Sequence, residues 1–424
     1  MKIYLDTLGC RLNQAEIEEM ARQFRAEGHS LSAEAASADL VIINTCAVTT
    51  EAAADSRQKI RQAARAGAQD ILATGCWSTL NPQQALALPG VRHVIPNAEK
   101  DKLVATTLGL AADDLFDREP LARQRLPGLH QRTRAFIKVQ DGCDNACTFC
   151  ITTLARGAGR SRPLPAVLTE IHAARAGGAQ EIVLTGVHLG SWGHDFGDHL
   201  STLITAILDQ TDTPRLRLSS LEPWDLSPNF FSLWENPRLM PHLHLPLQSG
   251  SASTLKRMLR KTTPQSFCEL AAAARAIRPD MALTTDLIAG FPGETEAEFS
   301  ETLTLIRAIN FAGGHVFTYS ARPGTPAARM KNHLPPEIKK ARSRELRTVF
   351  SELALAYRKT CLGQTLPVLW ESTSQRDDRG WKLEGLTGNY LRVSAYAPTP
   401  RWNLIDPVRL TGLTEEGLSG EIHF

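Results

Sequence analysis

The sequence predicts an α/β protein in three parts: an N-terminal parallel α/β domain, a central partial β/α barrel, and a small all-β module. Three observations carry this. Apolar strand-like runs alternate with helical stretches over residues 1–120. The alternation resumes at residue 135 and supplies six β/α units. After residue 361 the helical period gives way to short strands separated by turn signals. The expected boundaries are 1–120, 130–360 and 361–424.

In the first part, strands are expected at 2–9 (KIYLDTLG), 38–45 (ADLVIINT), 69–75 (QDILATG) and 91–96 (VRHVIP), with helices at 14–27, 50–66 and 82–88. The stretch 111–133 contains AADD, two prolines and few periodic apolar residues, and reads as a linker. The central strands are expected at AFIKVQ (135–140), EIVLTGV (181–187), RLRLSSL (215–221), HLHLPL (242–247), MALTTDLIAG (281–290) and GGHVFTY (313–319). Helices are expected at 165–177, 199–210, 227–235, 253–278 (broken near Pro264), 294–309 and 335–360. TLPVLWE, GWKLEGLTG, YLRVSA and PVRLTGL supply the strands of the last module.

The 424 residues are 42% hydrophobic and 22% charged, the balance of a soluble globular protein. A chain of this length can bury its cores without disulfide staples. MKIYLDTLGC has no basic region followed by an apolar stretch, and no apolar run approaches ~18 residues. A cytoplasmic protein with no membrane association is expected. Thiols are reduced there, so clustered cysteines point to metal or catalytic sites. The twelve His show no HExxH spacing, and neither a Walker-type loop nor a G-x-S-x-G elbow is present.

Residues 141–150, DGCDNACTFC, place Cys143, Cys147 and Cys150 at C-x3-C-x2-C spacing just after the first barrel strand. Structural zinc closes with four ligands, and no neighbouring His or Cys completes this set. A 4Fe–4S cluster that only transfers electrons also takes four thiolates. Three thiolates leave one iron open to a substrate or cofactor. By spacing alone, a partial zinc knuckle or three unrelated cysteines remains the bland alternative. Cys10, Cys46 and Cys76 each follow an expected strand. Parallel strands share one carboxyl edge, so these thiols are expected to converge as a second three-thiolate site. The alternative is three buried core cysteines. Cys268 and Cys361 are expected to be buried spectators.

C-x3-C-x2-C after a first barrel strand, with an aromatic before the last cysteine, resembles the radical S-adenosylmethionine (SAM) superfamily. Over nearly the whole chain the sequence resembles the radical SAM methylthiotransferases. TLGCRLNQAE, INTCAVTTEAAADSRQKIR, ATGCWS, FIKVQDGCDNACTFCI, ARGAGRSR, VLTGVHLGSWG, RLSSLEP, HLPLQSGS, TTDLIAGFPGET and YSARPGTPAA carry the match. The runs after Cys10 (Arg-Leu-Asn-Gln-Ala-Glu) and Cys46 (Ala-Val-Thr) look like the MtaB-like branch, which modifies N6-threonylcarbamoyladenosine beside the tRNA anticodon. The other branches act on isopentenyl-adenosine or a ribosomal protein. The resemblance implies two 4Fe–4S clusters on the six cysteines, with catalysis at the Cys143, Cys147 and Cys150 set. It also implies bound SAM, tRNA engaged at its anticodon stem-loop, and an electron donor such as flavodoxin or ferredoxin. One departure is Ile151-Thr152-Thr153, where the family often has Ile-x-Pro.

Barrel strand ends carry active-site residues. This makes Thr185, Gly186, Ser219, Ser220, Glu222, His244 and Gln248 candidate SAM contacts, with Glu222 facing a hydroxyl or ammonium and Arg156 a carboxylate. Gly290 and Gly293 would allow close approach of adenine. Residues 121–163 hold eight Lys/Arg against two acids, and 329–359 nine against three, as suits phosphate binding. The last 64 residues resemble a TRAM module but hold six Lys/Arg against eight acids. Any RNA contact there must come from a local face with aromatics such as Trp381, Tyr390 and Trp402, the alternative being that these are core. A non-catalytic RNA-binding protein with structural metal sites is the remaining alternative.

Overall fold

The computed structural model describes residues 1–110 and 133–423. Nearly all of the expected 111–133 linker, with Arg123, Arg125 and Arg132 of the basic stretch, lies outside these residues. The chain opens with β1 (Lys2–Thr7), α1 (Arg11–Ala26), β2 (Ser30–Leu31), β3 (Leu40–Thr45), α2 (Thr50–Arg65) and β4 (Ile71–Gly75). Then come α3 (Cys76–Leu80), α4 (Pro82–Leu86), β5 (Val91–Ile95) and α5 (Leu103–Leu108). The strands form a parallel sheet in the order β2-β1-β3-β4-β5. Every residue of β3 is buried, as a strand covered on both faces requires. Ile42 and Leu72 pack on one side with Ile17, Phe24 and Leu103. Val41, Ile43 and Ile71 pack on the other with Ile60 and Trp77.

The central part follows as β6 (Arg134–Lys138), β7 (Gln140–Asp141), α6 (Thr152–Arg156), β8 (Arg160–Ser161), α7 (Leu164–Ala176) and β9 (Glu181–Thr185). It continues through α8 (Leu200–Gln210), β10 (Arg215–Leu218), β11 (His242–His244), α9 (Ala252–Arg257) and α10 (Pro264–Ile277). β12 (Ala282–Ala289), α11 (Glu296–Ile309), β13 (Gly313–Thr318) and α12 (Pro336–Thr360) complete it. β6, β9 and β10 pair in parallel, as do β11, β12 and β13. Parallel bridges at Leu216–Leu239 and Ser220–His244 join the two triplets. Among the described residues β6 and β13 do not pair, so six strands make an open barrel. Residues 228–235 wind as 3-10 turns rather than the expected α-helix, burying Phe230, Phe231 and Trp234. Pro264 starts α10, where Thr263 and Ser266 form a reciprocal cap.

The open side of the barrel is covered from within. Ala15 of α1 packs on Phe136 and Val183, which face away from the outer helices. Beneath them Glu181 lies between Arg217 (Nε 2.6 Å) and Arg215 (Nε 2.8 Å). Burial alone would raise the Glu181 pKa, but the two guanidiniums outweigh it and hold the carboxyl at about 2.

The last strands, β14 (Thr365–Asp377), β15 (Gly380–Thr387), β16 (Arg392–Ala397), β17 (Ile405–Leu413) and β18 (Leu418–Ile422), close into a barrel in the order β14-β15-β16-β18-β17. β18 is a fifth strand that the sequence pattern does not mark. Cys361 is buried in this module's core, and Cys268 packs against the central core. Trp381 packs on the module's core too. Tyr390 is not an RNA-facing ring. It stacks on His242 (centroids 4.7 Å apart), and its hydroxyl accepts from Arg11 Nη2 (2.8 Å) and Arg134 Nη1 (3.3 Å). It thereby joins all three parts of the chain.

Glu181→Ala leaves two buried guanidiniums without their counter-charge. It should lower unfolding free energy by about 3–5 kcal/mol, read from denaturant midpoints. Because the folded pKa is depressed, the stabilisation is complete above the ordinary value of 4.5 and fades as pH falls towards about 2. Glu181→Gln should flatten that part of the stability–pH curve.

Candidate active site between two cysteine loops

Cys10, Cys46 and Cys76 follow β1, β3 and β4, three neighbouring strands whose carboxyl ends share an edge. Two glycines let the loops meet. A Cβ on Gly9, at φ +101°, would fall 2.6 Å from Cys46 Sγ. One on Gly75, at φ +95°, would fall 2.3 Å from the Thr45 carbonyl oxygen. Asn13 Nδ2 donates to the carbonyls of Leu8 (2.7 Å) and Thr45 (3.1 Å), tying the first loop to the second. Cys10 Sγ stands 3.8 Å from Asn13 Oδ1, and Asn97 Nδ2 3.6 Å from Cys76 Sγ. Burial pushes the Cys10 thiol up and the Cys46 thiol to about 11.

The second cysteine set lies between β7 and α6. Gly142 (φ +69°) must be glycine, because a Cβ would fall 1.9 Å from the Ala158 carbonyl oxygen. The amides of Asn145 and Thr152 point at Cys143 Sγ and Cys150 Sγ, each at 3.4 Å. Arg260 approaches Cys147 Sγ (3.9 Å), donates to Glu222 Oε2 (2.6 Å), and lies over the Trp224 ring. Burial pushes the Cys147 thiol up to about 11 despite Arg260. His188 Nε2 is 2.6 Å from Asp225 Oδ2. Burial would lower the His188 pKa, but bonding to Asp225 and Cys143 raises it to about 10.

One buried ion cluster joins the two loops. Arg156, six residues after Cys150, donates Nη1 to Glu16 (2.9 Å) and Asp141 (2.8 Å), and Nη2 to Asn13 Oδ1 (2.7 Å). Lys100 Nζ reaches the other Glu16 oxygen at 2.8 Å. Burial would raise the Glu16 pKa, yet Arg156, Lys100 and Lys138 hold it well below the carboxylate range. Arg156, expected to receive a SAM carboxylate, thus also holds the two domains together at the edge of the cleft. A second seam joins Thr50 Oγ1 to Ser320 Oγ (2.9 Å) and Arg322 Nη2 to the Val48 carbonyl (3.0 Å).

Between the seams lies a cleft of about 610 Å³. Cys10, Cys46 and Cys76 line one wall, and Thr185, Gly186, Ser219, Ser220 and His244 the other. Ser219 Oγ and Asp286 Oδ1 are buried with no hydrogen-bond partner among the described residues, so this wall retains capacity for a polar ligand. Cys143, Cys147, Cys150, Glu222 and Gln248 are not on the cleft lining. Gln248 holds φ +70°, a strained backbone for a side-chain-bearing residue. A Cβ on Gly290 (φ +74°), expected to admit adenine, would fall 2.4 Å from Lys339 Cγ, so the glycine also lets α12 pack close. Arg260, His188, Asp286 and His315 escape the sequence reading. For Asp286 and His315 the period-2 face of their strands is the available signal. Among the described residues no three His, Cys, Asp or Glu side chains gather as a single ion requires. A cubane asks instead for one thiolate at each of three separate irons.

The pattern of an uncharacterized protein family, UPF0004, matches residues 2–96, and that of the Radical SAM superfamily matches residues 137–306. The chain is 37% identical to the threonylcarbamoyladenosine tRNA methylthiotransferase MtaB of Thermotoga maritima, covering 98% of this chain and 96% of that protein. It is 34% identical to the Bacillus subtilis protein of the same name, covering 91% and 88%. It is 36% identical to a tRNA-2-methylthio-N(6)-dimethylallyladenosine synthase of Novosphingobium aromaticivorans, covering 86% and 85%. Among solved structures it resembles the radical SAM methyltransferase TsrM of Kitasatospora setae (TM-score 0.60, 14% identity, 77% of this chain and 75% of that one). That likeness shows a shared fold.

Glu16→Ala would strand Arg156, Lys100 and Lys138 around an empty centre. It should cost about 3–5 kcal/mol in denaturant unfolding, whereas exposed Arg307→Ala, opposite Glu352, should cost under about 1 kcal/mol.

Proposed function

The chain belongs to the radical SAM tRNA methylthiotransferase family, and from that premise we propose that it adds a methylthio group to C2 of N6-threonylcarbamoyladenosine next to the anticodon. The observation that carries this is a pair of three-cysteine loops on two domains that Glu16 and Arg156 clamp together, with Cys10, Cys46 and Cys76 lining a cleft against the barrel's strand ends. The substrate branch is supported by the residues after Cys10 and Cys46 and by the names of the two MtaB relatives.

The donor sets fit two clusters. Cys10, Cys46 and Cys76 would hold one, and Cys143, Cys147 and Cys150 the other, each leaving one iron without a protein thiolate. When bound, the clusters and SAM supply the electron, the radical and the sulfur that C–H methylthiolation needs. The chain's own residues position and shield. Glu222, held by Arg260 beside Cys147, presents a carboxylate to the ammonium or hydroxyls of SAM. Thr185, Gly186, Ser219, Ser220, His244 and Gln248 offer polar contacts at the strand ends. The reductant would be an external carrier such as flavodoxin or ferredoxin. Among the described residues no helix is long and apolar enough to cross a membrane, and we place the protein in the cytoplasm.

A basic groove supports an RNA substrate. Lys340, Arg344 and Arg347 of α12 line it with Thr318, Thr348 and Ser351. Cations with hydroxyls between them suit a phosphate backbone.

Nucleoside mass spectrometry of tRNA from a deletion strain tests the reaction. Loss of 2-methylthio-N6-threonylcarbamoyladenosine, with its unthiolated precursor accumulating, is expected. Loss of the isopentenyl-type methylthio nucleoside instead would move the enzyme to that branch, and an unchanged pattern would contradict the tRNA reading. Lys340→Ala/Arg344→Ala should weaken binding of any anticodon stem-loop and lower the salt slope of log K by about 1 to 2.

A further inference from the structure

We propose that the concave face of β12 and β13, carrying Asp286, His315 and Phe317, is the wall that receives the target adenine. This inference rests on the methylthiotransferase reading. Successive side chains of a strand point to opposite faces. In β13 this sends Val316 into the core beneath α12, while His315 and Phe317 line the cleft. Phe317 is 42% exposed, a bare ring in a cleft whose opposite wall carries Cys10, Cys46 and Cys76. An unstacked ring within a polar cleft is a platform for a nucleobase.

Asp286 supplies a second, independent mark. Its Oδ2 lies 3.2 Å from His244 Nε2, and His244 Nδ1 lies 2.9 Å from Thr284 Oγ1, so the imidazole is fixed at both nitrogens. That leaves Asp286 Oδ1, buried and without a partner among the described residues. A buried acceptor left unmade is costly, unless a ligand completes it. Adenine fits these demands. Its face stacks on Phe317, and its C2–H turns towards the cysteine wall. The N6–H, on a different edge of the ring, then faces the barrel wall, where Asp286 Oδ1 accepts. His315, exposed on the same face and with its ring 6.0 Å from that of His244, offers a donor to a polar, carboxylate-bearing N6 substituent. His244, fixed in this way, orients Asp286 towards the substrate.

SAM carries an adenine too, so the experiment has two arms, each with the reconstituted full chain and with iron content as the loading control. Phe317→Ala should weaken equilibrium binding of an anticodon stem-loop bearing N6-threonylcarbamoyladenosine by about tenfold. It should also lower methylthio product per 5′-deoxyadenosine formed. Phe317→Tyr should restore both, and Asp286→Ala should lower the same ratio. SAM affinity without RNA should not change in Phe317→Ala. Unaltered RNA affinity and product ratio in Phe317→Ala would overturn the proposal, and so would weakened SAM affinity, which would give the wall to SAM's own adenine. Failure of the unsubstituted enzyme to methylthiolate the stem-loop would instead overturn the reaction assigned above.

Discussion

A single carboxylate, Glu16, sets the geometry on which the site depends. It is buried, and it faces Lys100 from its own domain and Arg156 and Lys138 from the barrel. A charge in that position is tolerated only while its partners surround it. The arrangement therefore admits one docking of the two domains and disfavours others. Arg156 also binds Asn13, whose amide spans the Cys10 and Cys46 loops. From Cys150 the path to Cys10 is short: six residues along the chain to Arg156, then Asn13 Oδ1, which stands 3.8 Å from Cys10 Sγ. Two centres that must act on one base need such fixed spacing.

The open barrel makes this docking possible. A closed barrel would fill its interior with its own side chains. Here the interior takes α1 from the first domain and Tyr390 from the last. Tyr390 adopts φ +68°, a conformation that side-chain-bearing residues rarely occupy, and it sits among Arg11, Arg134 and Arg217. Because Arg11 follows Cys10 directly, the C-terminal module reaches within one residue of the first cysteine loop. Its net negative charge is compatible with that role, since it meets arginines of the rest of the chain through the Tyr390 phenol, through carbonyls that accept from Arg215 and Arg217, and through Glu371, which pairs with Arg134 (2.6 Å).

The parts of the fold that are legible in the sequence are those with local signals. β3 and β4 read as strands because both faces of a parallel sheet are covered and each opens on an apolar run, Leu40–Ile43 and Ile71–Ala73. The six cysteines stand out because their spacing, or their place after a strand, is itself local. Tertiary partners are not legible. Arg156 looks like a free cation in ARGAGRSR, since nothing nearby shows that Glu16, 140 positions earlier, will neutralise it. Gly290 reads as a ligand approach, whereas α12 brings Lys339 against it. The 228–235 stretch is apolar enough for a helix, but it winds as 3-10 turns that bury Phe230, Phe231 and Trp234. Asp286 and Phe317 acquire meaning only when the barrel stays open and the first domain covers the cleft.

The central claim is that the chain holds two independent three-thiolate centres on two domains clamped at one interface. Iron and acid-labile sulfide, measured on two anaerobically reconstituted triple variants, test it most directly. One variant replaces Cys10, Cys46 and Cys76 with Ala, and the other replaces Cys143, Cys147 and Cys150. Each should keep about half of the iron of the unsubstituted protein, with only the second losing reductive cleavage of SAM. Full iron in either variant, or loss of all iron from one of them, would contradict two separate centres.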